Sequence, residues 1–353
     1  MTVPNNNLTK VDYLMQSTPS GTIQNLGTIS DRKSPPRLFS ALAPALMTGA
    51  FVLNSGLASA QVTCSGNCEI LVDDSVIVGT DGNGDGALTI ENGATLSLPN
   101  FALIGRNGPD VGSMLVTGPG SLFELGPSTD STFFVVGRGG ATGTVFITDG
   151  GTVINNGNFL NPNGDQTAIR IGSDGFGTLT VLQGGSLINQ STTGIADLNI
   201  GLYTTEELVG PDYFGIANVL GPRSSIRVSG VTGSSIGVGI GFIDEPGTGQ
   251  LNIEGGGTVL VESQSGRSFV NVGVGTTGQL FVDGPGSVLS IVGNDGSAEL
   301  NIGLFGRTLD PDAREPIAGQ GFLDVTNSGL VEIFSATPGA ASLTIASGPA
   351  GGG

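Results

Sequence analysis

The chain has 353 residues, 62 of them Gly, with 30 Asp and Glu against 12 Lys and Arg, no His, no Trp and two Cys. A formal charge of −18 gives nucleic-acid phosphates nothing to pair with, and the absence of His excludes a Ser-His-Asp triad or a His-ligated zinc. Gly without a Gly-X-Y period excludes collagen; 38% hydrophobic residues at a mean hydropathy of +0.21 argue against a disordered acidic tail and leave a turn-rich β protein.

Residues 1–31 form a polar N-terminal extension, read either as an extended signal region or as upstream of a start at Met15. Residues 32–60 have the layout of a secretory signal peptide: Arg32, Lys33 and Arg37, then the apolar run from Leu38 to Leu57, then Ala58-Ser59-Ala60, with cleavage expected after Ala60. Pro44, Gly49, Asn54 and Gly56 interrupt the run, which argues against a membrane-spanning helix. Cleavage there leaves 8 basic and 28 acidic residues, a charge of −20, and no Lys.

Residues 61–74 are expected to cap the fold's start, with Cys64 and Cys68 spaced for a small disulfide loop in an oxidising compartment; two separate thiols are the alternative. Asp81-Gly82-Asn83-Gly84-Asp85-Gly86 fits the first half of a calcium loop, with Asp81, Asn83 and Asp85 as oxygen ligands. The bidentate Glu of such a loop falls instead on Asn92, with Glu91 one short, so a plain Gly/Asx turn is the simpler reading.

From residue 75 to 345 one pattern recurs: Gly, an apolar residue two later, Val or Ile four later, and an apolar residue about ten later. Its eight copies begin at Gly86, Gly112, Gly143, Gly177, Gly215, Gly249, Gly278 and Gly321. The first apolar position runs Leu88, Met114, Val145, Leu179, Ala217, Leu251, Leu280, Leu323, and the β-branched one from Ile90 to Val325. The third is read as Leu96, Leu122, Val153, Leu187, Ile226, Val259, Val288 and Val331, one residue late in the Gly215 copy.

Upstream of each copy stands a Val/Ile-Gly anchor, read at Gly79, Gly105, Gly137, Gly172, Gly201, Gly237, Gly273 and Gly303, a mean period of 32 residues. Length varies mostly in polar stretches such as 155–165 and 203–212, read as loops. Three short strands per unit cannot bury their apolar sides alone, so stacking into a right-handed parallel β-helix of about eight coils is expected, a rod about 40 Å long. A propeller would need about four strands per repeat and aromatic packing that this chain lacks.

The repeats resemble the passenger-associated repeats of bacterial autotransporters, also described as PEP-CTERM-associated repeats, with the consensus Gly-x-Leu-x-Val-x-Gly-x-Gly-Ser. Residues 278–287 (GQLFVDGPGS) and 249–257 (GQLNIEGGG) match it best, and the likeness covers roughly residues 75–345. The resemblance implies a passenger at the surface of a Gram-negative bacterium, secreted or associated with the outer membrane, with an outer-membrane translocator barrel as partner. No membrane-barrel pattern or C-terminal sorting helix with a basic tail is present, and residues 346–353, Gly-rich, are read as a truncated end.

No catalytic residues are assigned, and no cofactor beyond a weak calcium site is expected. Asp73-Asp74, Glu206-Glu207 and Asp244-Glu245 are adjacent in sequence and, on strands, would point to opposite faces, so none is a preformed acid/base dyad. The outward residues before the anchors, Asn199, Ser235, Asn271 and Asn301, are expected to form a polar ladder. A second outward strip, Thr89, Leu115, Phe146, Thr180, Asn218, Asn252, Phe281 and Asp324, could lie against glycans or a neighbouring rod. The functional expectation is an exported spacer or adhesin, meeting glycans or cell-surface proteins and not nucleic acid; the alternative is a secreted polysaccharide lyase or hydrolase.

Overall fold

In a computed structural model, residues 10–11, 59–71, 74–80, 84–128, 131–157, 167–202, 213–241, 247–304, 319–337 and 340–345 are described. The remainder of the N-terminal extension, the signal segment up to residue 58, Asp81, Asn83 and residues 346–353 lie outside them. The protein is all-β: three sheets of nine, ten and nine strands, with no helix among the described residues. Each coil contributes one strand to each sheet in turn, and each strand pairs in parallel with its counterpart one coil away, the arrangement of a parallel β-helix.

The anchor sheet runs from Ser75–Thr80 to Ala341–Ile345, the repeat sheet from Gly86–Glu91 to Gln320–Thr326, and the return sheet from Thr95–Leu98 to Leu330–Ser335. Gln61–Gly66 lies antiparallel on Gly86–Glu91, and Cys68–Leu71 antiparallel on Ser75–Thr80. A Cys64–Cys68 disulfide joins these two covering strands. Reversed pairing occupies the free hydrogen-bonding edges of two sheets at this end. The two-residue strand Lys10–Val11 pairs antiparallel with Leu330–Ser335.

Alternation along each strand builds the core. Gly86–Glu91 alternates buried and half-buried positions, and Leu88, Met114, Val145, Leu179, Ala217, Leu251, Leu280 and Leu323 stack in register. Ile90 to Val325 form the neighbouring column, and all of these residues up to Val282 are buried. Each such Val, Leu, Ile or Met side chain contributes about 1.5–3 kcal/mol on leaving water. In the last coil, Leu323, Val325, Val331 and Leu343 are only partly buried, and Ile345 is 67% exposed.

Two readings of the repeat are corrected. The third inward column is Leu96, Phe123, Val153, Leu187, Ile226, Val259, Leu289 and Val331, so Leu122 and Val288 face outward. The cause is turn length: Gly118-Pro119-Gly120-Ser121, Gly221-Pro222-Arg223-Ser224 and Gly284-Pro285-Gly286-Ser287 hold one residue more than turns such as Gln183-Gly184-Gly185. The extra residue is a buried Ser. Ser287 Oγ donates to the Asp283 carbonyl at 2.6 Å and accepts from Gly256 N of the preceding coil at 3.0 Å; Ser121 and Ser224 do the same with Thr117 and Gly93, and with Leu220 and Gly184.

The sixth anchor is Val238-Gly239, not Ile236-Gly237, since Val238 pairs with Ile200 and Val272. Gly239 has φ +65°, and a Cβ there would lie 2.1 Å from the Thr277 carbonyl oxygen of the next coil. The seven preceding and following anchor glycines, from Gly79 to Gly303, share this positive φ. Each marks a corner where one backbone passes against another, which only Gly permits.

Candidate functional site

The outer surfaces of the three sheets are where a rod of this kind can meet another molecule, because its interior is filled. On the anchor sheet, the outward residues change from apolar to polar along the rod: Ile77, Leu103 and Val135 align with Arg170, Asn199, Gly237, Asn271 and Asn301. Asn301 Nδ2 donates to Asn271 Oδ1 at 3.0 Å, forming the last rung of the expected ladder. Gly237 interrupts the column, and Ser235 belongs to the adjoining one beside Asp197, a consequence of the shifted anchor.

Asp197 is buried at 7% exposure and accepts a hydrogen bond from Ser235 Oγ. Burial pushes its carboxyl above the usual aspartate range, against the pull of the Ser235 hydrogen bond and the Arg170 charge. Arg170 lies over the Phe133 ring at 5.3 Å, and burial lowers its guanidinium pKa, with the Arg138 charge adding to the effect. Its Nε is buried without a hydrogen-bond partner. A buried carboxyl and a half-buried guanidinium therefore share this part of the face. Alternation alone does not announce Asp197, because it places the residue on the outer side of its strand, opposite Ser235.

Further along, Arg267 pairs with Glu299, its Nε 3.1 Å from Oε1, and stacks over Phe269 at 5.1 Å. The Arg267 hydrogen bond holds the Glu299 carboxyl below the usual range despite partial desolvation. On the return sheet, Arg227 pairs with Glu262 of the next coil.

The repeat sheet differs. Its outward strip from Thr89 to Asp324 is in register, and Thr180, Asn218 and Asn252 form a continuous ladder: Asn252 Nδ2 donates to Asn218 Oδ1 at 2.7 Å, and Asn218 Nδ2 to Thr180 Oγ1 at 3.3 Å. Phe146 stands 43% exposed on the same strip.

Asp85 Oδ1 accepts from Val111 N at 2.9 Å and so ties the first coil to the second; Asp81 and Asn83 are among the residues not described. Among the described residues no group of three or more His, Cys, Asp or Glu is placed to share a metal ion. Asp74 accepts from Asn100 Nδ2 at 2.6 Å, while Asp73, Glu206, Glu207, Asp244 and Glu245 lie outside the described residues.

Sequence reasoning missed the polar interior. The stretch 155–165, read as a loop, begins inside the strand Thr152–Gly157, and Asn155 points into the core. Asn155 and Asn189 continue the inward column of Leu125 and Val228.

These features define a parallel β-solenoid repeat protein with three chemically distinct outer faces. No protein-family model matches the chain, and neither a curated protein nor a solved structure does.

Proposed function

We propose that this chain is an exported, surface-displayed β-helical passenger that acts as a structural spacer or adhesin, with a membrane translocator as its secretion partner. The observation that carries the reading is the register of the repeat itself. The two segments that resemble passenger repeats lie directly on one another, Gly249 on Gly278, Leu251 on Leu280 and Ile253 on Val282, within a column that runs through every coil. A continuous stack of this kind transmits length and stiffness, which a spacer needs, and its neighbour-only contacts allow it to fold progressively from one end. The basic-apolar-small segment ending at Ala60 supports export.

The experiment is protease shaving of intact diderm cells producing the full chain. Surface display predicts digestion of the repeat region without lysis, and protection until lysis would refute it. A second reading, a secreted polysaccharide lyase or hydrolase, draws on the buried carboxyl of Asp197 on the strand that pairs with that of Arg170. It requires sugar release from a polysaccharide and its loss in Asp197→Asn, whereas the spacer reading expects binding without turnover.

A further inference from the structure

On a strongly acidic chain, the outer surface of the repeat sheet is free of charge over the first five residues of its six central strands, with Glu254 and Asp283 outward only at the far ends of two of them. Across the six coils from Val111–Thr117 to Thr277–Asp283, the first three outward positions of each strand hold only Thr, Ser, Asn, Gln, Phe, Leu, Ile or Val, from Val111, Ser113 and Leu115 to Thr277, Gln279 and Phe281. Both other sheets carry charges on their outward positions, Arg170, Asp197 and Glu299 on one and Glu124, Arg227 and Glu262 on the other. The neutral strip is a solvent-facing surface: Phe146 is 43% exposed, Val111 38% and Phe176 37%.

We propose that this face is a homodimer interface, on which a second copy of the chain packs face to face. Three observations select that occupant. The first is charge: with 30 acidic and 12 basic residues, two copies repel one another, and the neutral stretch of this sheet lets them approach with their acidic side chains, Glu254 and Asp283 included, kept to its margin. The second is size: the five-residue neutral stretch at about 3.3 Å per residue and six coils at about 4.8 Å give a face about 17 Å by 29 Å, or about 1,000 Å² over two partners, the size of a weak interface.

The third is hydrogen bonding. Gln250 Nε2 donates to Asn252 Oδ1 at 2.9 Å, Asn252 to Asn218, and Asn218 to Thr180, so the amides are engaged along the plane of the sheet. A surface that reads a sugar needs donors and acceptors aimed outward, whereas one that packs dry against its own copy needs its polar groups satisfied beforehand. A symmetric pair also sets matching Thr, Phe and Asn columns against each other, since a two-fold interface uses the same patch twice.

The test is sedimentation velocity of the full chain from about 1 to 100 µM, at low and at high NaCl. The proposal expects a dimer whose dissociation constant falls as salt screens the remaining acidic repulsion. It expects at least a tenfold weakening in Phe146→Glu and in Thr178→Glu, two independent positions of which either suffices if the other fails to fold. Ile188→Glu, outward on the return sheet, should leave the dimer intact. A wild-type monomer at 100 µM overturns the proposal, as does a dimer that both face variants leave unchanged. A monomer that binds insoluble neutral glucan through Phe146 also overturns it and assigns the face to a glycan.

Discussion

Asn155 Nδ2 donates to Asn189 Oδ1 at 2.9 Å between adjacent coils, and both side chains lie inside the rod at 0% exposure. Asn189 turns its own amide hydrogens to the carbonyls of Thr167 at 3.2 Å and Asp197 at 2.8 Å, and Asn155 reaches the Ala168 carbonyl at 3.2 Å. The pair thus satisfies backbone oxygens where the chain passes from the return sheet to the anchor sheet. Removing one partner strands the other and exposes the cost of desolvation. Asn189→Leu should lower stability by about 2–3 kcal/mol, read as a shift in the urea unfolding midpoint, although Leu suits the column by size. A neutral effect would show that the corner carbonyls find other donors.

The buried turn serines act between coils. Ser287→Ala removes the acceptor of Gly256 N and the donor to the Asp283 carbonyl, so a loss of about 1–2 kcal/mol is expected in chemical denaturation. Ser290→Ala, nearby but outward, should change the midpoint by less than about 0.5 kcal/mol.

The reassigned corner predicts a contrast between two glycines two residues apart. At Gly239 the backbone is left-handed and the obstacle to a Cβ is a carbonyl oxygen of the next coil, which cannot yield without breaking a strand pairing. At Gly237 the obstacles are side-chain atoms of Asn199 and Ile240, each 2.7 Å away, which can move. Gly239→Ala should therefore be much the more damaging, with thermal unfolding midpoints as the check. Similar midpoints would return the anchor to Gly237.

Two carboxylates predict opposite responses to pH. Asp197 has a raised pKa in the fold, so its contribution is fully present below the ordinary aspartate pKa of about 3.9 and is lost as pH rises through the folded value. Asp197→Asn, which keeps an acceptor for Ser235, should match wild type near pH 3 and exceed it in stability at pH 7. Glu299 has a lowered pKa, so its contribution is present above the ordinary glutamate value of about 4.3 and is lost as pH falls through the folded one. Glu299→Gln should lower stability at pH 7 and converge with wild type in acid. Stability curves of the two variants against pH that run in the same direction would contradict these assignments.

Much of the rod is legible because its corners and core impose short rules on single residues. A corner where two backbones cross admits only Gly, and an inward position on a narrow strand favours an apolar or β-branched residue, so Gly, an apolar residue two later and Val or Ile four later survive in every coil. Where two solutions fit the same rule, pattern alone fails: Ile236-Gly237-Val238-Gly239 offers two anchors, and only pairing with Ile200 selects the second. The Gly-Pro-x-Ser turns shift the return strand by one residue, which reverses the faces of Leu122 and Phe123. Asn155 was unreadable for a different reason, since an inward Asn is explained only by carbonyls from another sheet. The outer faces follow the same logic: their alternation is visible in sequence, but the neutral strip emerges only when the coils are set in register.

The central claim is that the chain winds into stacked coils with fixed inner and outer faces, and the strand Thr258–Ser263 tests it most directly. Its Val259-Leu260-Val261 run is apolar throughout, yet Val261 is buried at 0% while Leu260 faces outward beside Arg227 of the preceding coil. The measurement is the unfolding midpoint of Val261→Asp against that of Leu260→Asp. Val261→Asp, burying an unpaired charge, should cost on the order of 3 kcal/mol or more, and Leu260→Asp, solvated and next to an arginine, less than about 1 kcal/mol. Equal losses, or a greater one at Leu260, would contradict the fold.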